Sequence, residues 1–462
     1  MVKSFIWEGL IKLFIMSWIN NLTSSVSNKR AIVFTDNEYS YSQLANQIQV
    51  YKVLVSEAIP KGKVVAILSD YNFESIALFF ALYLNKNIIV PITSSVTSEV
   101  RDRLVVSQAK YSIEILDYKL IFNEINFEDN VHLLIKDLQK SFNSGLILFS
   151  SGSTGQPKAM IHNLCNLIDS YNNKKGKDLV FMIFLMFDHI GGLNTLLNCL
   201  SMGVTMVFPI KREPEHICYL IEKYEVNVLP TSPTFLNLLI ISGSHVKFRL
   251  SSLKLVTYGT EPMPVSLLLK LKDILPNVKF VQTFGTSETG ILQVSSKSST
   301  SNLMKFDTSS MEYKVIDGEL WLRSKTQILG YLNSSMDRFT SDGWFKTGDV
   351  VEIFDGDFLK IVGRSSEIIN VGGEKVLPHE VETVLFLMPE IIDCVVYGEA
   401  NPITGQMVVA RVQFEGSNNI AIIKKNIVSF CSDKIARYKI PAKIVLMDEI
   451  QFSTRFKKKR NF

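Results

Sequence analysis

The sequence predicts an α/β protein with a large N-terminal domain of βα-layered subdomains and a β-rich subdomain, followed by a small α+β C-terminal domain. Three observations carry this reading. Runs such as Val64–Leu68, Ile88–Val90 and Leu179–Phe184 are apolar throughout and alternate with helical-period segments, the pattern of parallel strands covered on both faces. From about residue 310 the chain changes to short strand-like runs punctuated by Asp317-Gly318, Asp342-Gly343 and Asp355-Gly356-Asp357. After Gly363-Arg364 about 100 residues remain, enough for a separate small domain. The expected boundaries are 1–363, with the β-rich part at about 310–363, and 364–462.

Taken in order, the elements start with a helix over 42–58, where Leu44, Ile48, Tyr51 and Val55 share a face behind Ser42 as N-cap. A strand at 64–68, a helix at 75–84 and a strand at 88–90 stopped by Pro91 complete a βαβ unit. The alternation resumes with a helix from about 163, a strand at 179–184, a helix after Gly192 and a strand at 204–208. Helices at 215–224, 233–241 and 264–275 then alternate with strands at 226–229, 253–257 and 278–283. The serine-rich piece 295–310 reads as a loop, and no internal repeat is found.

Composition excludes several classes. With 47% hydrophobic and 20% charged residues the chain has the apolar surface to fold throughout. A net charge of +4 without a basic stripe argues against nucleic acid. Five scattered cysteines without a CxxC spacing, and six histidines without HExxH, imply neither disulfides nor structural zinc. The apolar start, MVKSFIWEGLIKLFIMSWINN, is interrupted by Glu8 and Lys12 and reads as an amphipathic helix rather than a signal peptide. No later run spans a membrane, so the expected compartment is cytoplasmic.

The stretch SSGSTGQPK, from Ser150 to Lys158, follows the apolar run Leu146–Phe149. Its composition alone fits a flexible turn. Its position, at the C-terminal end of a strand, fits a phosphate cradle made of amides, hydroxyls and the Lys158 charge. It is not a Walker A loop, because Pro157 stands immediately before Lys158.

FSSGSTGQPKAMIHN resembles the phosphate-binding signature of the acyl-adenylate-forming (AMP-binding) superfamily, which includes acyl- and aryl-CoA synthetases, luciferases and peptide-synthetase adenylation domains. Four further motifs follow in the order of that family. Tyr258-Gly259-Thr260-Glu261-Pro262 resembles its adenine-contacting turn, and Phe284-Gly285-Thr286-Ser287-Glu288 its YGxTE motif. Gly343-Trp344-Phe345-Lys346-Thr347-Gly348-Asp349 resembles GWxxTGD, and Gly363-Arg364 with Gly372-Gly373-Glu374-Lys375 resembles the hinge to its small domain. The resemblance implies that Ser150, Ser151, Gly152, Ser153, Thr154, Gly155 and Lys158 hold the phosphates of ATP. It also implies contacts to the nucleotide from Gly259, Thr260, Glu261, Pro262, Phe284, Gly285 and Thr286. Ser287 supplies a hydroxyl where the family has Thr. Glu288 holds Mg²⁺, as a hard cation that takes few carboxylates requires. Asp349 and Arg364 flank the ribose.

The same resemblance implies a two-step reaction: a carboxylate and Mg·ATP give an acyl-adenylate, and a thiol then displaces AMP. A C-terminal lysine serves the first step and leaves when the small domain rotates. Aligned on Thr454 that lysine is Lys458, with Lys457 where the family has glycine, and Lys457 or Lys459 serves instead if the register slips. At the hinge, Ser366 replaces the usual Asp or Lys.

Phe187-Asp188-His189-Ile190-Gly191-Gly192 reads in two ways. Aligned on His189 it resembles the motif of acyl- and aryl-CoA ligases, with His189 beside the acyl carboxylate. Aligned on Asp188 it resembles amino-acid-activating domains, with Asp188 binding an ammonium. Pocket walls are expected near Thr231–Phe235, including Ser232, near Tyr258–Thr260, and at Thr283–Phe284, with no lysine or arginine suited to a second carboxylate. The expected function is an AMP-forming acid–thiol ligase using ATP, Mg²⁺ and coenzyme A or a carrier-protein phosphopantetheine. A free-standing amino-acid adenylation protein serving a separate carrier protein, and a nucleotide-binding pseudoenzyme, are the alternatives.

Overall fold

The computed structural model describes residues 17–126, 130–150, 157–292, 294–309, 311–354, 356–416, 418–447, 452–453 and 458. Most of the expected first helix, residues 1–16, lies outside them; the short helix Trp18–Thr23 begins at its own N-cap, Ser17.

Two seven-stranded sheets form the large domain. In one, Lys279–Gln282, Leu255–Tyr258, Val228–Thr231, Val180–Met182, Thr205–Phe208 and Arg30–Phe34 run parallel in that spatial order, and Asn37–Ser40 closes the edge antiparallel. In the other, Ile88–Ile92 and Val64–Leu68 are central and parallel, and Gly145–Ser150 joins Ile88–Ile92 in parallel. Helices Tyr41–Ala58, Phe73–Leu84 and Ile190–Met202 are shared between the sheets. Their apolar residues pack into one core with Ile67, Ile89 and Leu148 of one sheet and Ile32, Phe181 and Met206 of the other. This explains why Phe73–Leu84 is apolar nearly all round, since a helix covered on both sides has no face left for water.

Several local readings change. Ser40, not Ser42, caps the first long helix, because Gln43 lies three residues on and closes a reciprocal capping box. Pro91 does not stop its strand. Pairing with Gly145–Ser150 ends at Ile89, so the missing N–H of Pro91 falls beyond that ladder. A helix at Thr97–Ser107, a hairpin at Tyr111–Glu124 and a helix at Leu133–Lys140 fill a stretch in which no element was expected. The serine-rich piece is a loop only in part, since Val294–Ser296 pairs with Met304–Phe306.

Those two strands open a six-stranded antiparallel sheet that continues through Met311–Ile316, Glu319–Ser324, Phe345–Phe354 and Phe358–Arg364. Beyond Arg364 a five-stranded sheet, with helices Pro378–Leu385 and Ile420–Cys431, encloses its own core around Val381, Val396, Val412 and Ile423. All five cysteines are free, four of them buried. Among the described residues no helix is long and apolar enough to cross a membrane.

His162 is buried in strand Lys158–Asn163, and burial holds its imidazole down to a pKa of about 4. The unfolded chain therefore takes up a proton near pH 6.5 that the folded chain refuses until about pH 4. Stability is full above that window and declines as pH falls through it, by about 3 kcal/mol at most. Thermal melts from pH 7 to 4 should fall less steeply in His162→Gln than in the wild type; equal slopes would exclude this histidine as the acid-sensitive group.

Candidate active site

The loop expected to hold phosphate leaves strand Gly145–Ser150 and returns as a strand, Lys158–Asn163, not as a helix. The two are antiparallel, and Ser150 stands directly opposite Lys158. Any anion held by the loop therefore owes nothing to a helix N-terminus. Ser151, Gly152, Ser153, Thr154 and Gly155 lie outside the described residues. Ser150 and Lys158, the two ends of the loop, both line a cavity of ≈ 780 Å³.

That cavity opens over the C-terminal ends of the parallel strands Val228–Thr231 and Leu255–Tyr258, where ligands of α/β sheets bind. Gly259, Thr260, Thr283, Phe284, Gly285, Thr286, Ser287 and Glu288 line it. The Thr286 hydroxyl accepts from Thr289 N–H at 3.1 Å, tightening the turn that presents Ser287 and Glu288. Tyr331 donates its hydroxyl to Glu288 Oε1 at 3.0 Å, and the Lys158 ammonium lies 5.6 Å from the Tyr331 ring centre. Burial, reinforced by Glu288, raises the Tyr331 pKa and keeps its hydroxyl a donor.

On the opposite wall are Gly348, Arg338, Arg364, Ser365 and Ser366. Gly348 has φ +73°, a backbone conformation that strains any side chain, and a Cβ there would also displace Arg338 Nη2, 2.7 Å away. Arg364 donates from Nε to Asp349 Oδ1 at 3.1 Å. Asp349 is buried behind that wall, and its Oδ2 has no hydrogen-bond partner among the described residues. Burial raises its pKa against the opposing pull of Arg364 and Arg338. An unpaired buried acceptor calls for a donor, which a ribose hydroxyl would supply.

His189 is the N-cap of helix Ile190–Met202. Its Nδ1 accepts from Gly191 N–H at 3.1 Å, which places the proton of the neutral ring on Nε2. The loop before it is held by charge. Asp70 accepts from Phe187 N–H at 3.1 Å and from Arg212 Nη2 at 2.8 Å, while Arg212 Nε also binds Phe184 O at 2.6 Å. Gly192 is forced by packing, since a Cβ there would lie 2.1 Å from Met186 O.

Six expected positions among the described residues do not line this cavity: Asp349, buried behind its wall, and Asp188, Ser232, Glu261, Pro262 and Lys458. Asp188 is buried with Oδ2 accepting from Arg103 Nη1 at 2.9 Å, so its charge is answered within the protein. Ser232 accepts from Phe235 N–H at 3.2 Å as the cap of helix Pro233–Ile241; its neighbour Thr231 lines the cavity instead. Glu261 and Pro262 turn away into a small cleft against the C-terminal domain, lined also by Asn237, His379, Glu382 and Phe386. Glu261 accepts there from Thr234 N–H at 2.8 Å, and burial raises its pKa.

Lys458 lies in that same cleft, not in the cavity. Its Nζ donates to Asp393 Oδ1 at 2.6 Å and to Cys394 O at 2.9 Å, and its backbone N–H donates to Glu261 Oε2 at 3.3 Å. Burial pulls its pKa down, but Asp393 outweighs burial and the ammonium is held charged. Thr454, Lys457 and Lys459 lie outside the described residues. Sequence reasoning missed Tyr331, Arg338 and Glu319, for which no pattern speaks. It also missed the polar stripe Asn194, Thr195 and Asn198, whose three- and four-residue spacing from Gly191 was visible.

Residues 22–332 match the family model described as AMP-binding enzyme, and residues 380–457 match that of the AMP-binding enzyme C-terminal domain. The chain belongs to the AMP-binding enzyme family. A probable CoA ligase of Humulus lupulus is 30% identical over 66% of this chain, which spans 60% of that relative. A 2-succinylbenzoate–CoA ligase of Enterococcus faecalis is 25% identical over 93% of this chain and 94% of its own length. The solved anthranilate CoA ligase AuaEII, in complex with anthranoyl-AMP, shares this AMP-binding fold with a TM-score of 0.79 at 20% identity, covering 96% of each chain. Among the described residues of this AMP-binding enzyme no cluster of three or more metal-binding side chains occurs. Three carboxylates line the cavity, of which Glu319 accepts from Gly348 N–H and Asp337 from Ser335; Glu288 suits magnesium, which completes its shell with phosphate oxygens and water.

Lys458→Ala should strand the fully buried Asp393 carboxylate and cost about 3 kcal/mol in chemical denaturation, with Asp393→Asn in the same chain recovering most of the loss. Independent, additive losses would mean that the pair does not hold the tail.

Proposed function

We propose that this chain is an AMP-forming acid–thiol ligase that activates a carboxylic acid with Mg·ATP and passes the acyl group to coenzyme A. The observation that carries this is the continuity of one cavity. It joins a charged end, with Ser150, Lys158, Glu288, Gly348 and Arg364, to a channel of mixed lining beside Phe181, Ile190, Asn194 and Leu255, and His189 lines it too. A nucleotide site alone does not require that channel.

In the first step an acid oxygen bonds to the α-phosphorus of ATP and the bond to pyrophosphate breaks. Lys158 neutralises charge on the departing pyrophosphate, and Nε2–H of His189 donates to the acyl oxygen. Mg²⁺ held by Glu288 would add electrostatic neutralisation of the phosphates. Asp349 and Arg364 orient the ribose, so that the protein contributes mainly position and charge. In the second step a thiolate attacks the acyl carbon, AMP leaves with the bonding pair, and the thiol proton passes to solvent.

Lys458 cannot serve the first step while bound to Asp393, so either that ion pair opens or a neighbouring tail lysine acts. Asp188, already paired with Arg103, does not support the amino-acid-activating alternative. A carrier-protein phosphopantetheine is a further acceptor within this reading, and the cytoplasm is its working compartment.

Hydroxylamine trapping of the acyl-adenylate tests the first step. Lys158→Ala and Asp349→Asn should each lower kcat/KM for hydroxamate formation by roughly tenfold to a hundredfold, as loss of a charge-assisted contact to the nucleotide requires. Hydroxamate formation unchanged in both variants would remove the assignment of this cavity.

A further inference from the structure

The channel runs the length of helix Ile190–Met202. Gly191, Asn194, Thr195, Asn198 and Met202 line it from the first turn to the last, and Lys177 lines it beside Met202. Eleven residue steps at about 1.5 Å make this roughly 16 Å. A zigzag chain with bonds of about 1.5 Å at about 111° advances roughly 1.25 Å per carbon, so about twelve or thirteen carbons reach from His189 to Lys177. A single-ring acid is too short.

At the far end the backbone N–H of Lys177 binds Met202 O at 3.0 Å, fixing the lysine against the C-terminal turn of the helix. Its side chain is exposed at the channel end and makes no hydrogen bond or ion pair with a described residue. The neighbouring Asp178 is paired with Lys29 at 3.3 Å, and Lys174 and Lys175 lie just upstream, so the surrounding sequence is basic. Lys177 lies outside the walls near Thr231–Phe235, Tyr258–Thr260 and Thr283–Phe284, where no cation suited to a second carboxylate was expected.

We infer that the acid is an extended aliphatic chain of about twelve carbons ending in a second anionic group, a carboxylate, that Lys177 recognises at the channel mouth. Asn194 and Asn198 leave the passage partly polar. Tyr171 donates to Asn194 Oδ1 at 2.6 Å and Thr195 donates to Gly191 O at 2.8 Å, so both lining side chains are held in place. This inference rests on reading the channel as the acyl site.

Titration calorimetry without nucleotide, using dodecanedioate and dodecanoate as probes, tests it. The affinity ratio of the diacid to the monoacid should fall roughly threefold in Lys177→Ala, and further in Lys177→Glu, the scale of an exposed ion pair. Asn198→Phe should weaken both acids roughly tenfold by filling the passage. A ratio unchanged across the wild type and both Lys177 variants, or unaltered affinities in Asn198→Phe, would overturn the inference. The same proteins are then given Mg·ATP and hydroxylamine. Lys177-dependent binding with no hydroxamate from any acid would support this inference and defeat the ligase reading. Hydroxamate from benzoate with Lys177-independent binding would do the reverse.

Discussion

The seat of helix Ile190–Met202 between the two large sheets is the constraint on which the site depends. Leu193, Leu196, Leu197 and Leu200 are buried in the shared core, so this face of the helix has no freedom to rotate. The opposite consequence falls on the remaining face, where Gly191, Asn194, Thr195 and Asn198 are left to line the cavity. The close approach of Gly192 to Met186 O sets the height at which the helix starts, and with it the position of His189. A helix packed on both sides is an expensive place to put polar residues. That they occur as a stripe, with Asn194 and Thr195 hydrogen-bonded within the protein, marks the stripe as a lining.

Charge pairing divides the acids of the motifs into two sorts. Asp70, Asp188 and Asp393 are each matched to a basic side chain and hold structure: the loop before His189, the strand-end around Phe187 and the tail. Asp349 is also paired, with Arg364, and leaves one oxygen without a hydrogen-bond partner among the described residues as Asp393 does, while Glu288 accepts from the neutral hydroxyl of Tyr331. Glu288 retains acceptor capacity for a ligand at the polar end of the cavity, and Asp349 lies buried behind the wall there. Burying carboxylates costs free energy unless they are paired, which is why each of these buried acids has a cation beside it.

Much of this was legible before any coordinates. Parallel strands such as Val64–Leu68, whose residues are all apolar, announce themselves, and helix Pro233–Ile241 is bounded by a serine cap and a proline. The five ordered motifs bring Gly259, Phe284, Glu288, Gly348 and Arg364 to one cavity although they are far apart in the chain. What the sequence could not convey is which side of a turn faces the ligand. Gly259 and Thr260 line the cavity while Glu261, one step on, faces the small domain, because a turn reverses its side chains within a residue or two. Nor does local pattern reveal that the strand before SSGSTGQPK is answered by a strand, since Lys158–Asn163 is short and only its pairing makes it one.

Lys458 is tied to the small domain by its side chain and to the large domain by its main chain. A separation of the two domains at this point would break that backbone hydrogen bond and the 3.5 Å bond from Asn237 Nδ2 to Asp393 Oδ1, and leave the ion pair whole. The Lys458 side chain is therefore cargo of the small domain rather than a bolt between the two. Because the bond across the cleft comes from an amide, replacing the side chain at 458 removes the ion pair while leaving the chemistry of the cross-cleft bond intact.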